Sequence, residues 1–400
     1  MYKGFIGKNN YWLFNDSIFQ IFNIMLGSKR KLSDLANIIV GGTPSTKKNQ
    51  YWDGNIPWMS SGEINKKRIY KTDKLITKLG LENSSAKFVP ENSVLIALAG
   101  QGKTRGKVAI NNIELTINQS LAGIIPISED YYGFIFYNLE KRYFELRSLS
   151  SGAGSRGGLN KKLIQNIKVQ IPNLKEQILI SKLSETLDKI LTLYERKIKL
   201  LSQIKKYFLD NLFAKNKYPN LRFKGFTNAW EQRNLLTICY REDNKRKPVK
   251  RQDRKKGLTP YYGANGVQGY VSGYTHDGNY ILIAEDGAND IKNYPISFVT
   301  GKIWANNHTH VLKINIKNND GNFLVGTIKK INYFKYLVGS GRYKLTMESL
   351  SQINVWITIF PEQRKIGIVL NNINKLITLY ESKLKQIKQI KKELLDTMFI

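Results

Sequence analysis

The chain has 400 residues, 42% of them hydrophobic and 11% aromatic, so two to three domains with their own cores are possible and disorder is excluded as the main state. Lysine and arginine number 63 against 31 acids, and the resulting formal charge of +32 favours a polyanionic partner, above all nucleic acid. No apolar run reaches the roughly 18 residues of a membrane span, no signal peptide is evident, and a single cysteine excludes a disulfide framework and fits a reducing cytoplasm.

The first 30 residues have no clear role, and a first globular segment follows over residues 31–172. It is rich in strands and turns, with the turn-forming stretch 41–45 (GGTPS) and an apolar run over Ser93–Ala99. It ends in a Gly/Ser/Arg loop over Ser151–Gly158, a short helix and an alternating strand around Val169.

Residues 94–104 (VLIALAGQGKT) superficially resemble a phosphate-binding P-loop. The motif requires a glycine five positions before Gly102, and that position is Ala97. Residues 105–110 also have the pattern of a strand, where a P-loop would open a helix. We therefore expect a basic loop that contacts DNA phosphate and no nucleotide site.

A helix is predicted over residues 174–214, within a helical region that begins at residue 173. Asn173 followed by Glu176 is typical of a helix N-cap with a capping box. Its apolar residues recur in steps of three and four, which predicts a heptad seam, skipped at Lys197. The predicted seam residues are Leu183, Leu187, Ile190, Tyr194, Leu201, Ile204 and Phe208.

A linker over residues 215–232 leads to a second strand-rich segment, residues 233–358. Its landmarks are Tyr261–Tyr270, Asp277-Gly278 and the apolar run Tyr280–Ala284. It ends as the first segment does, with the loop Gly339–Arg342, a short helix and an alternating strand. His308 and His310 form an H-x-H without a third ligand, so core or DNA-facing positions are expected and not a metal site.

A second long helix is predicted over residues 359–400, with Pro361 in its first turn. Its seam repeats that of the first helix and is skipped at Lys383. The predicted residues are Val369, Ile373, Leu376, Tyr380, Ile387, Ile390 and Leu394.

The two halves form an internal repeat with an offset of 186 residues, as from Tyr194 to Tyr380. The offset needs no gap from Arg156, which falls on Arg342, to Ile400 at the end of the sequence. The sequence therefore predicts an α+β fold with two strand-rich domains in pseudo-two-fold arrangement, separated by two long helices that form an antiparallel coiled coil. Outside their ends the two segments barely match, as expected for two readers of different targets on one frame.

Several stretches resemble one family in this order. Residues 219–226 (PNLRFKGF) with 229–235 (AWEQRNL) resemble the linker that opens a target recognition domain in specificity subunits of type I restriction–modification enzymes. Residues 41–45 with 56–58 (IPW), and 261–266 (YYGANG) with 269–270 (GY), resemble the openings of two such domains. The two helices that begin with Glu-Gln resemble the family's helical regions.

The resemblance implies a subunit that reads a bipartite, asymmetric DNA site, one half per recognition domain, and does not itself catalyse. It implies docking of two methyltransferase (modification) subunits on the long helices, with restriction subunits joining. S-adenosylmethionine, ATP and Mg²⁺ would then belong to these partners and not to this chain. The alternatives are the specificity subunit of another restriction system with a fused nuclease–methyltransferase partner, a stand-alone enzyme, which lacks the required motifs, and a coiled-coil scaffold, which the charge disfavours.

Loop residues with donors suited to base edges or phosphates are the candidates for DNA contact. In the first domain they are Thr43, Ser45, Ser60, Ser61, Gln101, Lys103, Arg105 and Arg156. In the second they are Lys250, Arg251, Tyr261, Asn265, Gln268, Tyr270, Arg342 and Lys344. Trp58, Trp304 and Cys239 are expected in the core.

Overall fold

The computed structural model of the chain describes residues 28–100, 104–127, 131–149, 158–339, 341 and 343–399. The described residues up to Leu193, together with residues 384–399, form a first unit, and Tyr194–Lys383 form a second. Each unit contains a strand-rich domain and part of both long helices, so the expected α+β class is confirmed. Most of the N-terminal segment lies outside the described residues.

The strand-rich domain of the first unit contains eleven strands among its described residues. They are β1 Ser28–Lys31, β2 Ala36–Val40, β3 Trp52–Met59, β4 Arg68–Ile69, β5 Lys74–Ile76, β6 Lys87–Val89, β7 Ser93–Ala97, β8 Val108–Asn111, β9 Leu115–Ile117, β10 Leu121–Pro126 and β11 Lys168–Ile171. One sheet has the order β2-β10-β7-β8-β4, a second has the order β5-β3-β9-β6, and β1 pairs with β11. The short helices are α1 Lys78–Glu82, α2 Tyr131–Lys141, α3 Tyr143–Ser148 and α4 Lys161–Gln165.

The core of this domain forms around β7, whose five residues are all buried because its sequence (SVLIA) is almost wholly apolar. β7 pairs with β10 on one side and β8 on the other. Phe134 of α2 packs against Phe399, with ring centroids 5.2 Å apart. The end of the chain thus contributes to the core of the first unit.

The strand-rich domain of the second unit contains ten strands among its described residues. They are β12 Glu231–Asn234, β13 Cys239–Arg241, β14 Lys256–Gly263, β15 Gly266–Val271, β16 His276–Ala284, β17 Ile296–Ala305, β18 Thr309–Ile314, β19 Leu337–Val338, β20 Lys344–Leu345 and β21 Asn354–Ile357. The main sheet has the order β13-β18-β16-β17-β14-β15, and two-stranded pairs join β12 to β21 and β19 to β20. The short helices are α6 Leu235–Ile238, α7 Gly321–Ile328 and α8 Met347–Ser351.

The core of the second domain includes an aromatic cluster in which Phe213 and Trp230 both pack against Phe323 of α7. Cys239 is buried, as expected, and burial raises the pKa of its thiol to about 12. The cysteine is therefore a small core residue.

Both long helices form where the sequence predicts them, α5 over Leu174–Asn211 and α9 over Phe360–Met398. Asn173 caps α5, since its side-chain oxygen accepts a hydrogen bond of 3.0 Å from the backbone N–H of Glu176. None of the helices among the described residues is both long and apolar enough to cross a bilayer.

The internal repeat is visible in a hydrogen bond at the start of each long helix. Gln177 is buried and its side-chain amide donates to the carbonyl of Pro172 at 2.9 Å. Gln363, 186 residues later, is equally buried and donates to the carbonyl of Thr358 at 2.7 Å. The Gln of each Glu-Gln pair therefore ties its helix to the strand before it.

Two of the predicted seam residues, Ile204 and Leu376, have side chains that are 45% and 41% exposed. Their neighbours Lys205 and Ile377 are more buried, and Lys391 is only 8% exposed. At Ile204 the more buried neighbour is a lysine, whose aliphatic stem can lie along apolar surface. At Leu376 the more buried neighbour, Ile377, is itself apolar. The other twelve predicted seam residues are buried or half-buried.

Candidate nucleic-acid interface

A basic segment, residues 244–256, precedes β14 in the second unit. Its sequence (NKRKPVKRQDRKK) contains eight lysines and arginines against one aspartate. Six of these basic residues are exposed: Lys245, Lys247, Lys250, Arg251, Lys255 and Lys256. Such a density of exposed positive charge suits sequence-independent contacts to DNA phosphates.

Buried polar contacts fix the start of the basic segment. Arg246 donates to the Glu285 carboxylate at 2.5 Å and to the Thr309 carbonyl at 2.9 Å. Asp243 accepts hydrogen bonds from the backbone N–H of Val311 at 2.7 Å and lies 2.8 Å from His310 Nδ1. Burial alone would raise the pKa of Asp243, but the His310 and Val311 hydrogen bonds and the Arg246 charge hold it below its usual value.

The buried side chain of Tyr261 contacts the middle of the basic segment. Its side chain is 1% exposed, and its hydroxyl accepts a hydrogen bond from Val249 N–H at 3.0 Å. The Arg254 guanidinium lies over its ring at 3.8 Å, and Trp304 donates to the Lys247 carbonyl at 2.7 Å. The sequence predicts Tyr261 as a hydrogen-bond donor to DNA, whereas its side chain is buried and supports the basic segment.

The hairpin β14–β15 lies beside the basic segment, because Ser272 N–H bonds to the Lys255 carbonyl. On this hairpin Tyr270 is 61% exposed, and Gln268 is exposed and accepts a long hydrogen bond of 3.5 Å from Arg254. Together with Lys250 and Arg251 they form one region with both charged and aromatic groups available.

Asn265 and Lys344 have partners within the domain. Asn265 donates to the Gly287 carbonyl at 2.9 Å and accepts from Asn289 N–H at 3.0 Å, so its amide closes a loop. Lys344 pairs with Glu285 at 2.9 Å. Burial would raise the pKa of Glu285, yet hydrogen bonds from Arg246 and Lys344 outweigh burial and lower it.

In the first unit, the structure joins the two stretches that resemble a recognition-domain opening. Trp58 is buried and its indole N–H donates to the Gly42 carbonyl at 3.0 Å. A Cβ added at Gly41 would lie 1.8 Å from the Ile117 carbonyl oxygen, so only glycine fits there. These contacts hold the loop in place. Within it, the Thr43 hydroxyl bonds to the Gln119 side chain at 2.5 Å, and Ser45 is exposed to solvent.

The remaining first-domain candidates lie in two other places. Ser60 and Ser61 are half-buried at the end of β3, where the Ser60 N–H bonds to the buried Glu63 carboxylate at 3.2 Å. Arg105 is half-buried in the turn between β7 and β8. Gln101, Lys103 and Arg156, like Arg342 in the second domain, lie outside the described residues.

Two further motifs singled out in the sequence lie largely within the described residues. β8 runs antiparallel to β7, so the segment after the P-loop-like sequence is a strand, as predicted. His310 is buried between Asp243 and the Leu345 carbonyl, and His308 bonds to Asp286. Within the described ranges, no group of three or more His, Cys, Asp or Glu side chains could hold a metal ion.

Sequence reasoning singled out only Lys250 and Arg251 from the basic segment. It missed Lys245, Lys247, Lys255 and Lys256, although a count of charge along residues 244–256 would have found them. The supporting roles of Arg246 and Arg254 carry no such signal, because they depend on strands that are distant in sequence.

Comparison with known proteins identifies the family. The family model of the type I restriction modification DNA specificity domain matches residues 28–203 and again residues 228–389. The chain is 44% identical over 134 residues to the putative type I restriction enzyme specificity subunit S.HindORF215P of Haemophilus influenzae, a match that covers 34% of each chain. It is 28% identical over 197 residues to the EcoR124I/EcoR124II specificity subunit of Escherichia coli, covering 46% of this chain and 48% of the relative.

These two matches span about half the length of the relatives or less. A longer match, 26% identical over 370 residues, covers 86% of this chain and 87% of the EcoprrI specificity subunit of Escherichia coli. The fold is similar to the crystal structure of a type I restriction–modification S subunit from M. genitalium, with a TM-score of 0.69, 17% identity, and 94% and 97% of the two chains covered. Since the family model accounts for most of the sequence in two copies, the chain belongs to the type I restriction modification DNA specificity family.

Proposed function

We propose that this chain is the DNA-reading subunit of a type I restriction–modification complex and performs no catalysis itself. Each strand-rich domain reads one half of a bipartite, asymmetric site. The observation that carries the proposal is the double match of the specificity domain within one sequence. Because the two domains differ in their loops, the two half-sites differ as well.

In the second domain, the exposed lysines and arginine of the basic segment contact DNA phosphates. Gln268 and Tyr270 on the adjacent hairpin contact the edges of the DNA bases. The support is the exposure of these side chains and the buried frame that holds them. In the first domain, the Thr43–Ser45 loop has the corresponding role, supported by its rigid attachment through Trp58.

The long helices act as an antiparallel coiled coil that sets the gap between half-sites. Within the second unit, the rings of Tyr194 and Tyr380 lie 5.5 Å apart, and Lys205 lines the same cavity as Asn374. Residue numbers therefore rise along one helix as they fall along the other, as an antiparallel pair requires. Two methyltransferase subunits dock on these helices, restriction subunits join them, and S-adenosylmethionine, ATP and Mg²⁺ bind to the partners.

The test is a methylation map of the complex formed with its methyltransferase subunit. Replacing residues 31–172 by the first recognition domain of another family member should change one half of the methylated site and leave the other half and the gap unchanged. A matched replacement of residues 233–358 should change only the other half. If either exchange altered both halves, the proposal would be wrong.

A further inference from the structure

The two units share a set of contacts between a short helix and a long helix. Residues of α2 correspond to residues 189 positions later, in α7 and the two residues after it. Residues of the long helices and just beyond their ends correspond at the offset of 186. One contact between aromatic rings and one ion pair occur at equivalent positions in both units. They are Phe134–Phe399 at 5.2 Å and Phe323–Phe213 at 5.5 Å, then Lys141–Asp396 at 3.7 Å and Lys330–Asp210 at 2.7 Å.

In the first unit, the same register contains a balanced charge cluster. Lys391 of α9 is 8% exposed and its ammonium lies 2.6 Å from Asp188 and 3.3 Å from Glu140. The ring of Tyr137 lies beside it, with 5.3 Å from the ammonium to the ring centroid. Lys67 also pairs with Glu140 and Asp188, so two carboxylates balance two lysines beside the aromatic ring.

In the second unit, every partner of that lysine is replaced. Lys205 corresponds to Lys391, but Lys329 stands in place of Glu140, Asn374 in place of Asp188 and Gly326 in place of Tyr137. Two carboxylates have become a second lysine and a neutral amide. The cluster has therefore changed from nearly neutral to strongly positive.

Lys205 and Lys329 line one cavity of about 210 Å³, together with Ser297, Asn322 and Asn374. Burial lowers the pKa of both lysines, and the charge of Lys205 lowers that of Lys329 further. Among the described residues, neither lysine forms an ion pair within 4 Å, and Glu381 is the carboxylate that partly offsets Lys205. Lys329 also borders a neighbouring cavity lined by Asp290.

We propose that this cavity is a binding site for a phosphate-class oxyanion, held between the ammonium groups of Lys205 and Lys329. Lysine binds phosphate as a point charge, and the amide and hydroxyl groups of Asn322, Asn374 and Ser297 can donate hydrogen bonds to the remaining oxygens. The cavity has room for one tetrahedral ion with water but not for a nucleotide. A bound dianion supplies the charge that Glu140 and Asp188 supply in the first unit.

The experiment measures binding of inorganic phosphate to the full chain by calorimetry and by the shift of the thermal unfolding midpoint, against chloride at equal ionic strength. Wild-type protein should bind phosphate and unfold at a higher temperature in its presence. Lys329→Gln should weaken binding at least tenfold. Lys329→Glu should abolish binding and raise the midpoint in chloride, because it recreates the pairing seen in the first unit.

Lys317→Glu is the matched control, since it changes the net charge equally at an exposed lysine outside the cavity. It should leave phosphate binding within twofold of wild type. Equal responses of wild type to phosphate and chloride, or equal losses in Lys317→Glu and Lys329→Glu, would overturn the proposal. A rise of the unfolding midpoint with a short DNA duplex but not with free phosphate would overturn it too, because the lysines would then bind the DNA backbone and not a free anion. The assay contains no methyltransferase subunit, so its result is independent of the proposed function.

Discussion

Glu362, in the first turn of the second long helix, is completely buried, whereas its counterpart Glu176 in the first long helix is only partly buried. Arg222 of the linker reaches Glu362 through two hydrogen bonds of 2.7 and 2.8 Å. These bonds raise the pKa of the Arg222 guanidinium. Glu176 has no cationic partner among the described residues, and its pKa is raised by burial.

The adjacent glutamines, by contrast, make equivalent hydrogen bonds in both units. The repeated Glu-Gln pair therefore has two separable parts. The glutamine attaches each helix to its own strand, while the glutamate gains a structural role only where a linker arginine is available.

The largest effect is expected for Arg222→Ala. It leaves the fully buried Glu362 carboxylate without its cation, and breaking a buried pair in this way costs about 3–5 kcal/mol. Urea unfolding followed by circular dichroism measures the loss. Glu176→Gln is the matched change in the first unit and should cost less than about 1 kcal/mol. Similar losses in the two variants would contradict the contrast between the glutamates.

The glutamines should give a smaller and more even effect. Gln177→Ala should lower the free energy of unfolding by about 1–2 kcal/mol, because the half-buried Pro172 carbonyl loses its donor. Gln363→Ala should cost about 1 kcal/mol more, since Gln363 also accepts a hydrogen bond of 3.1 Å from Asp320 N–H. The corresponding oxygen of Gln177 has no partner among the described residues. A larger loss for Gln177→Ala in urea unfolding would refute this order.

The comparison extends to pH, because all three histidines lie in the second domain. The pKa of Asp243 is held below its unfolded value of 3.8, so its stabilising contribution is present above that pH and is lost as the pH falls below it. Asp243→Asn should destabilise the protein by about 1–2 kcal/mol at pH 7 and flatten the fall in stability below about pH 4. Asp73→Asn, a change at a 66% exposed carboxylate of the first domain, should leave the pH profile unchanged. Identical profiles for the two variants in unfolding curves from pH 2 to 7 would count against the Asp243 network.

The smallest effects on stability are expected at the surface of the recognition domains. Lys250→Ala and Arg251→Ala should change unfolding by less than about 0.5 kcal/mol, yet each should reduce the salt dependence of DNA binding by about one phosphate contact. In the first domain, Thr43→Ala should weaken binding to the cognate site without changing the salt slope. Binding curves of the assembled complex at several salt concentrations measure both. An unchanged slope in Lys250→Ala would remove phosphate contact from the basic segment.

Much of the frame could be predicted because it depends on local pattern. Both long helices begin and end within a few residues of their predicted bounds, and Asn173 caps the first one. These features follow from heptad spacing and from the unsatisfied N–H groups of a helix start. The charge that points to nucleic acid is equally local, since it needs only a count of lysines and arginines.

Other features depended on contacts that no local pattern records. Tyr261 has the residue type and sequence context expected of a DNA-contacting loop residue, but the folded domain buries its ring beneath Arg254. Ile204 has the spacing of a seam residue, but it is 45% exposed and the adjacent Lys205 is more buried. In both places the three-dimensional neighbours, and not the local sequence pattern, set the burial of the side chain.

By itself, the sequence determined the duplication, the helix lengths and the sign of the charge, because period, capping and composition act within a few residues of chain. The tertiary structure decided which of two charged residues at equivalent positions of the two units is buried, which is ion-paired and which has no opposite charge beside it among the described residues. Arg222 reaches Glu362 across 140 residues, and Lys329 meets Lys205 where the first unit has Glu140. Burial and desolvation, which give these charges their energetic weight, exist only after distant segments have packed together.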